Sequence, residues 1–281
     1  MKNYSFHTAN GILQLGPETC IMGVLNCTPD SFSDGGEYTQ LDKAVNKALE
    51  MVQQGATIID IGGESTRPGA KKVSLQEELA RVIPVIKAIR AQSNIPISID
   101  TTKALVAEAA IAAGADIIND ISAFNMDPDM KDVALKTGAG CILMHMRGTP
   151  QTMQSLTNYN DLILEIKNYF AELIAKLTTA GIKRECLMID PGIGFSKTLE
   201  QNLLLIKHLD QFLDLNQPIL LGPSRKSFIA KTLNTTDIED LKWGTAAAIT
   251  LGIAKGAAAI RVHDTSEMYK VAKISDSIVN S

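Results

Sequence analysis

What this sequence lacks narrows its class before any motif is read. It has no extended basic stretch: Lys and Arg are scattered among Asp and Glu over 281 residues, for a formal net charge of -4. It therefore offers no face of the kind that grips nucleic acid, and any anion site must be local. It has no apolar run long enough to span a bilayer, since the most apolar segment, ITLGIAKGAAAI, is interrupted by Lys255. It shows no charged-then-apolar leader pattern, and a cytoplasmic enzyme is expected. The four cysteines, Cys20, Cys27, Cys141 and Cys186, make no C-x-x-C pair. Three of them lie in or beside apolar runs, which points to buried thiols rather than disulfides or metal ligands, and Cys27 reads as loop packing. Linkers, low-complexity tracts, sequence repeats and a dinucleotide-type glycine fingerprint are missing as well.

What remains is a chain that is 45% hydrophobic, enough for one large core, and residues 1–281 read as a single domain. The segment YSFHTANGILQL alternates loosely around Asn10-Gly11, a dipeptide that favours a type I′ turn, so a short hairpin is expected ahead of the main fold. Eight apolar runs follow: CIMGVLN, TIIDIG, IPISID, DIIND, CILMH, CLMID, PILLG and AAIRVH. Helix-length segments separate them. Ser74 with Glu77, and Thr198 with Gln201, have the spacing of helix N-terminal capping boxes, and one helical pattern closes at Gly55. Eight strand-then-helix units predict an α/β fold, a closed (β/α)8 TIM barrel with a short N-terminal β-hairpin.

In such barrels the chemistry sits where strands end. The runs stop at Asn26, Asp60, Asp100, Asn119, His145, Asp190, the GPSRKS segment, and Arg261 with His263. A strand that ends where water begins accounts for one or two polar termini, not for so many directly after buried residues. Two connections, from Asn26 to about Leu41 and from Gly62 to Ser74, are long enough to expect functional loops. The second places Arg67 before Pro68 and Gly69, a stiff setting for a guanidinium that binds an oxyanion.

Taken in order, NCTPDSFSDGG, GGESTRPGA, SIDT, NDIS, DPGIGF, GPSRKS and IRVHD resemble the dihydropteroate synthase family over nearly the whole chain. Cys27, Ile193, Ser196 and Pro223 depart from the family pattern without removing a charged or hydrogen-bonding group. The resemblance implies a transferase of folate biosynthesis that condenses 6-hydroxymethyl-7,8-dihydropterin pyrophosphate with p-aminobenzoate. Mg²⁺ would be bound by Asn26, with Asp34 assisting. It further implies catalytic roles for Asp100, Asp190, Arg67 and Lys226, sulfonamide recognition, and a homodimer. Substrate contacts are expected from Thr66, Asn119, Met144, Ser227, Arg261, His263, Phe32, Ser33 and Pro68, together with Asp100, Asp190 and Lys226. The residue chemistry agrees: carboxylate and amide acceptors suit an amino-pyrimidinone edge. Arg67, Arg261 and His263 are expected to supply local positive charge for pyrophosphate. Phe32 and Pro68, on the two long loops, are expected to wall the p-aminobenzoate ring. Blander roles stand beside these: a turn cap for Asp190, a carboxylate-capping histidine at His263, a solvated lysine at a helix start for Lys226. Pterin-dependent methyl transfer, a silent pterin-binding paralogue and a Schiff-base aldolase using Lys226 are the competing functions.

Overall fold

In the computed structural model, which describes residues 2–28, 37–66, 69, 70 and 72–281, the chain opens with an antiparallel hairpin of β1 (Tyr4–Thr8) and β2 (Gly11–Leu15). Thr8 pairs with Gly11, so the turn falls on Ala9 and Asn10 rather than Asn10-Gly11, and neither residue has a positive φ. The reason is tertiary. The Ala9 N–H donates to the Asp116 carbonyl at 3.0 Å and the Asn10 amide to the Asp116 carboxylate at 2.9 Å, docking the turn on the barrel.

Eight parallel strands then form where the apolar runs lie: β3 (Cys20–Asn26), β4 (Ile58–Gly62), β5 (Ile97–Asp100), β6 (Ile117–Asp120), β7 (Gly140–Met144), β8 (Leu187–Asp190), β9 (Leu220–Leu221) and β10 (Ala259–Val262). They pair in the order β8-β7-β6-β5-β4-β3-β10-β9, and a parallel bridge between Ile189 and Ile219 brings the last strand back to the first. The sheet is thus the expected barrel. Its outer ring comprises α1 (Glu37–Gln53), α2 (Leu75–Arg90), α3 (Ala104–Ala112), α4 (Met130–Thr137), α5 (Leu162–Thr179), α6 (Leu199–Lys207), α7 (Ser227–Leu233), α8 (Ile238–Ala254) and α9 (Thr265–Val279). None of these is long and apolar enough to cross a membrane. The capping box at Thr198 and Gln201 is complete, whereas at α2 only half forms: Ser74 accepts from the Glu77 N–H, and the Glu77 carboxylate pairs with Arg81 instead. All four cysteines are buried and free, Cys27 within the main core.

Period-two alternation sets what fills the barrel. Met22, Ile58, Ile117, Ile142, Met188, Leu220 and Ala259 form one apolar layer, closed from below by Phe6 and Leu15 of the hairpin. Gly140 makes room for the plug, since a methyl there would lie 2.7 Å from the Phe6 ring. Two residues further along β4, β6, β7, β8 and β10 the same inward face carries Asp60, Asn119, Met144, Asp190 and Arg261. One strand period separates an apolar floor from a polar mouth.

Candidate active site

Arg261 stands at the centre of that mouth. Its Nε donates to Asp60 Oδ2 at 2.6 Å and its Nη2 to Asp100 Oδ2 at 2.7 Å, tying β10 to β4 and β5 across the barrel. The Asn119 amide lies 3.2 Å from the same Asp60 oxygen. Register puts Asn119, Asp100 and Gly62 at one level, with Asp60 one period below. Burial pushes the Asp100 carboxyl up to about 7 despite Arg261, and Asp60, Glu78 and Asp120 push the same way.

Asp190 closes the opposite wall. Its Oδ1 accepts the Gly192 N–H at 2.7 Å, so the turn-cap role is real, yet it occupies only one oxygen. Burial raises this carboxyl too, and the Gly192 N–H, Lys226, Lys197 and Arg261 oppose the rise. Lys226 is half-buried, with its ammonium 4.1 Å above the Phe195 ring, a cation–π contact rather than a solvated helix start. Phe195 joins Ile121, Met144 and Met153 in an apolar cluster. Ser227 is exposed at the first turn of α7, and Asn26 is half-buried at the end of β3. Thr66 is half-buried and lines a cavity of about 310 Å³ with Asp100, Thr101, Lys103, Ile121 and Asp127.

The expected positive pair takes a different form. β10 ends at Val262, one residue before His263, and the Arg261 charge is already balanced by two carboxylates. The His263 N–H donates to Ser224 Oγ at 3.2 Å, and the same oxygen lies 3.0 Å from Nδ1. The Ser224 hydroxyl thus holds the ring as well as the backbone of His263. Burial, with Arg261, Arg225 and Lys226 nearby, pushes the imidazole down to about 4. His263 is thus a neutral imidazole at pH 7 rather than a charge. Phe32, Ser33, Asp34, Arg67 and Pro68 lie outside the described residues.

Asp60, Phe195, Lys197 and Arg225 act in this region without a role that their sequence patterns assign. Asp60 was visible as a polar residue in a buried run; Phe195 gave no signal beyond its place in DPGIGF. Lys197 is buried, and its ammonium donates to the Phe195 carbonyl at 2.8 Å and lies 3.2 Å from His145 Nδ1, joining the loops after β7 and β8. Burial pushes that amine down to about 7. Arg225, with positive φ, is spent on Asp264 and holds the SRKS loop to the end of β10.

The geometry is that of a barrel mouth whose inward face carries buried carboxylates and an amide around a paired guanidinium, with a lysine over an aromatic ring nearby. Residues 22–263 match the family described as pterin binding enzyme. The dihydropteroate synthase of Synechocystis sp. is 51% identical over 263 residues, covering 94% of this chain and 91% of the relative. Among solved structures, Yersinia pestis dihydropteroate synthase in a sulfonamide drug complex has a TM-score of 0.89 at 42% identity, covering 96% of this chain and 98% of that one. The Xanthomonas albilineans enzyme with 4-aminobenzoic acid has a TM-score of 0.90 at 39% identity, covering 98% of each chain. The chain belongs to the pterin binding enzymes and, within them, to the dihydropteroate synthases.

Proposed function

We infer that the chain condenses 6-hydroxymethyl-7,8-dihydropterin pyrophosphate with p-aminobenzoate, giving 7,8-dihydropteroate and pyrophosphate. The observation that carries this reading is the buried set of Asp100, Asn119 and Asp190 on the inward face, directly above the apolar floor. An amino-pyrimidinone edge brings donors that such acceptors satisfy, whereas an apolar ligand would leave them unpaired at a cost of about 1–3 kcal/mol each.

The bond between the pterin methylene and the pyrophosphate oxygen breaks, the arylamine nitrogen attacks the methylene, and the amine loses a proton to water. Positive charge develops on the pterin in between. Asp100 and Asp190 favour that charge electrostatically, and no dedicated base is required because an arylamine is unprotonated at neutral pH. Lys226 and neutral His263 bind the substrates at the rim, and Ser227 hydrogen-bonds the p-aminobenzoate carboxylate. Asn26 offers a hard amide oxygen, and among the described residues no group of three or more His, Cys, Asp or Glu is disposed to hold a metal ion. Asn26 would hold Mg²⁺ together with pyrophosphate oxygens, since this ion takes few protein ligands, and the ion would supply charge that neutralises the leaving group.

A homodimer completes the proposal. α8 and α9 pack side by side and leave Trp243, Leu251, Ile274 and Ile278 exposed to 71%, 59%, 65% and 67%. Apolar side chains grouped on neighbouring helices suit a second copy of this chain. The function is tested by pyrophosphate release, which should require both the pterin pyrophosphate and p-aminobenzoate. Release without the amine would contradict the condensation.

A further inference from the structure

Asp60 has no exposed surface, and both its oxygens face donors. Oδ2 accepts from Arg261 Nε at 2.6 Å, and the Asn119 amide nitrogen lies 3.2 Å from Oδ2 and 3.4 Å from Oδ1. An aspartate ion-paired with a guanidinium can only accept. This settles an orientation that heavy-atom positions alone leave open. Of the two ends of the Asn119 amide, only the NH2 end can face Asp60. Asp60 lies one strand period closer to the floor, so with one amide hydrogen on Asp60 the carbonyl oxygen and the second hydrogen of Asn119 are left for a ligand in the mouth.

An acceptor beside a donor is a code. A 2-amino-4-oxo pteridine shows its complement, the 2-amino donor next to the N1 acceptor. The 2,4-dioxo counterpart reverses it, with an N1–H donor next to a carbonyl acceptor, and would be met only by an amide turned over. Turning it over sets Asn119 Oδ1 against the Asp60 carboxylate, two acceptors with no hydrogen between them. We propose that Asp60 is a positioning residue that locks the Asn119 amide and thereby makes the pocket select a 2-amino over a 2-oxo pyrimidine edge. The proposal rests on the pterin-binding reading above.

Calorimetry with 6-hydroxymethylpterin and 6-hydroxymethyllumazine separates the two. Wild-type protein should bind the pterin at least about tenfold more tightly; binding neither would refute the pterin reading itself. In Asp60→Asn the new amide can donate, Asn119 is free to turn, and the preference should shrink by about tenfold. In an Asn119→Ala background the same substitution should leave the preference where it was, because a residue acting through Asn119 has nothing left to act on. A preference unchanged in Asp60→Asn, equal losses for both ligands, or the same shift with and without Asn119 would overturn the assignment. If Asp60→Asn shows no cooperative melting, wild-type protein labelled with 15N-asparagine decides. One Asn119 side-chain proton should resist solvent exchange in the free protein and in the pterin complex, and rapid exchange of both would overturn the proposal.

Discussion

Asp190 commits one of its two oxygens to the backbone, and that division makes its chemistry testable. With Oδ1 on the Gly192 N–H at 2.7 Å, the other oxygen is the one available to a ligand. In Asp190→Asn the amide oxygen stays on Gly192 and the NH2 turns toward the ligand, so a donor faces pterin donors. The variant should fold and lose at least about tenfold in pterin affinity; wild-type affinity by calorimetry would remove Asp190 from the pocket. Legibility at this scale followed chemistry. Asp100, Asn119, Asp190 and Arg261 stood out because each is polar inside a buried run. Asp60 was just as visible, but its role depends on Asn119 and Arg261, residues 59 and 201 positions away. Lys197 gave no signal because its acceptors are main-chain carbonyls and a ring nitrogen, which no side-chain pattern announces.

Among the elements, the hairpin of β1 and β2 is a floor rather than an ornament. Phe6, 1% exposed, plugs the end of the barrel opposite the mouth. Phe6→Ala should cost about 3–5 kcal/mol of stability. Because the chemistry lies a full strand length away, turnover per folded molecule should be unchanged. Urea unfolding paired with an activity assay checks both halves, and a parallel loss of turnover would tie the floor to the site. All eight barrel strands were legible as apolar runs, whereas their limits were less so. PILLG yields only Leu220–Leu221 in β9, with Ile219 reaching across to Ile189, since closing the barrel splits this short run between two neighbours. The hairpin turn was misplaced by one residue for a similar reason: Asp116, more than a hundred positions away, takes both the Ala9 N–H and the Asn10 amide. Local patterns announce an element; distant partners set its register.

Across the whole molecule, the neighbouring helices α8 and α9 predict assembly. Ser275 Oγ lies 3.4 Å from Thr250 Oγ1, which places Leu251 and Ile274 beside one another on the exposed side. Wild-type protein should sediment at twice the chain mass, and Leu251→Glu with Ile274→Glu should sediment as a monomer; a wild-type monomer would refute the pairing. The division of the barrel into apolar floor and acidic mouth has a further consequence, in terms of inheritance. Asp100 keeps its proton in the folded chain up to about 7, against an ordinary value of 3.8, so the folded form binds the extra proton between those values and stability falls as pH climbs through them. At neutral pH and above, the buried charge of Asp100 therefore works against the fold that carries it, while the floor supports that fold. Selection for a sturdier barrel and selection for turnover pull in opposite directions at Asp100 and in separate directions everywhere else. In a lineage released from making product, Asp100 would drift first and Phe6 last, leaving an intact barrel that has forgotten its reaction.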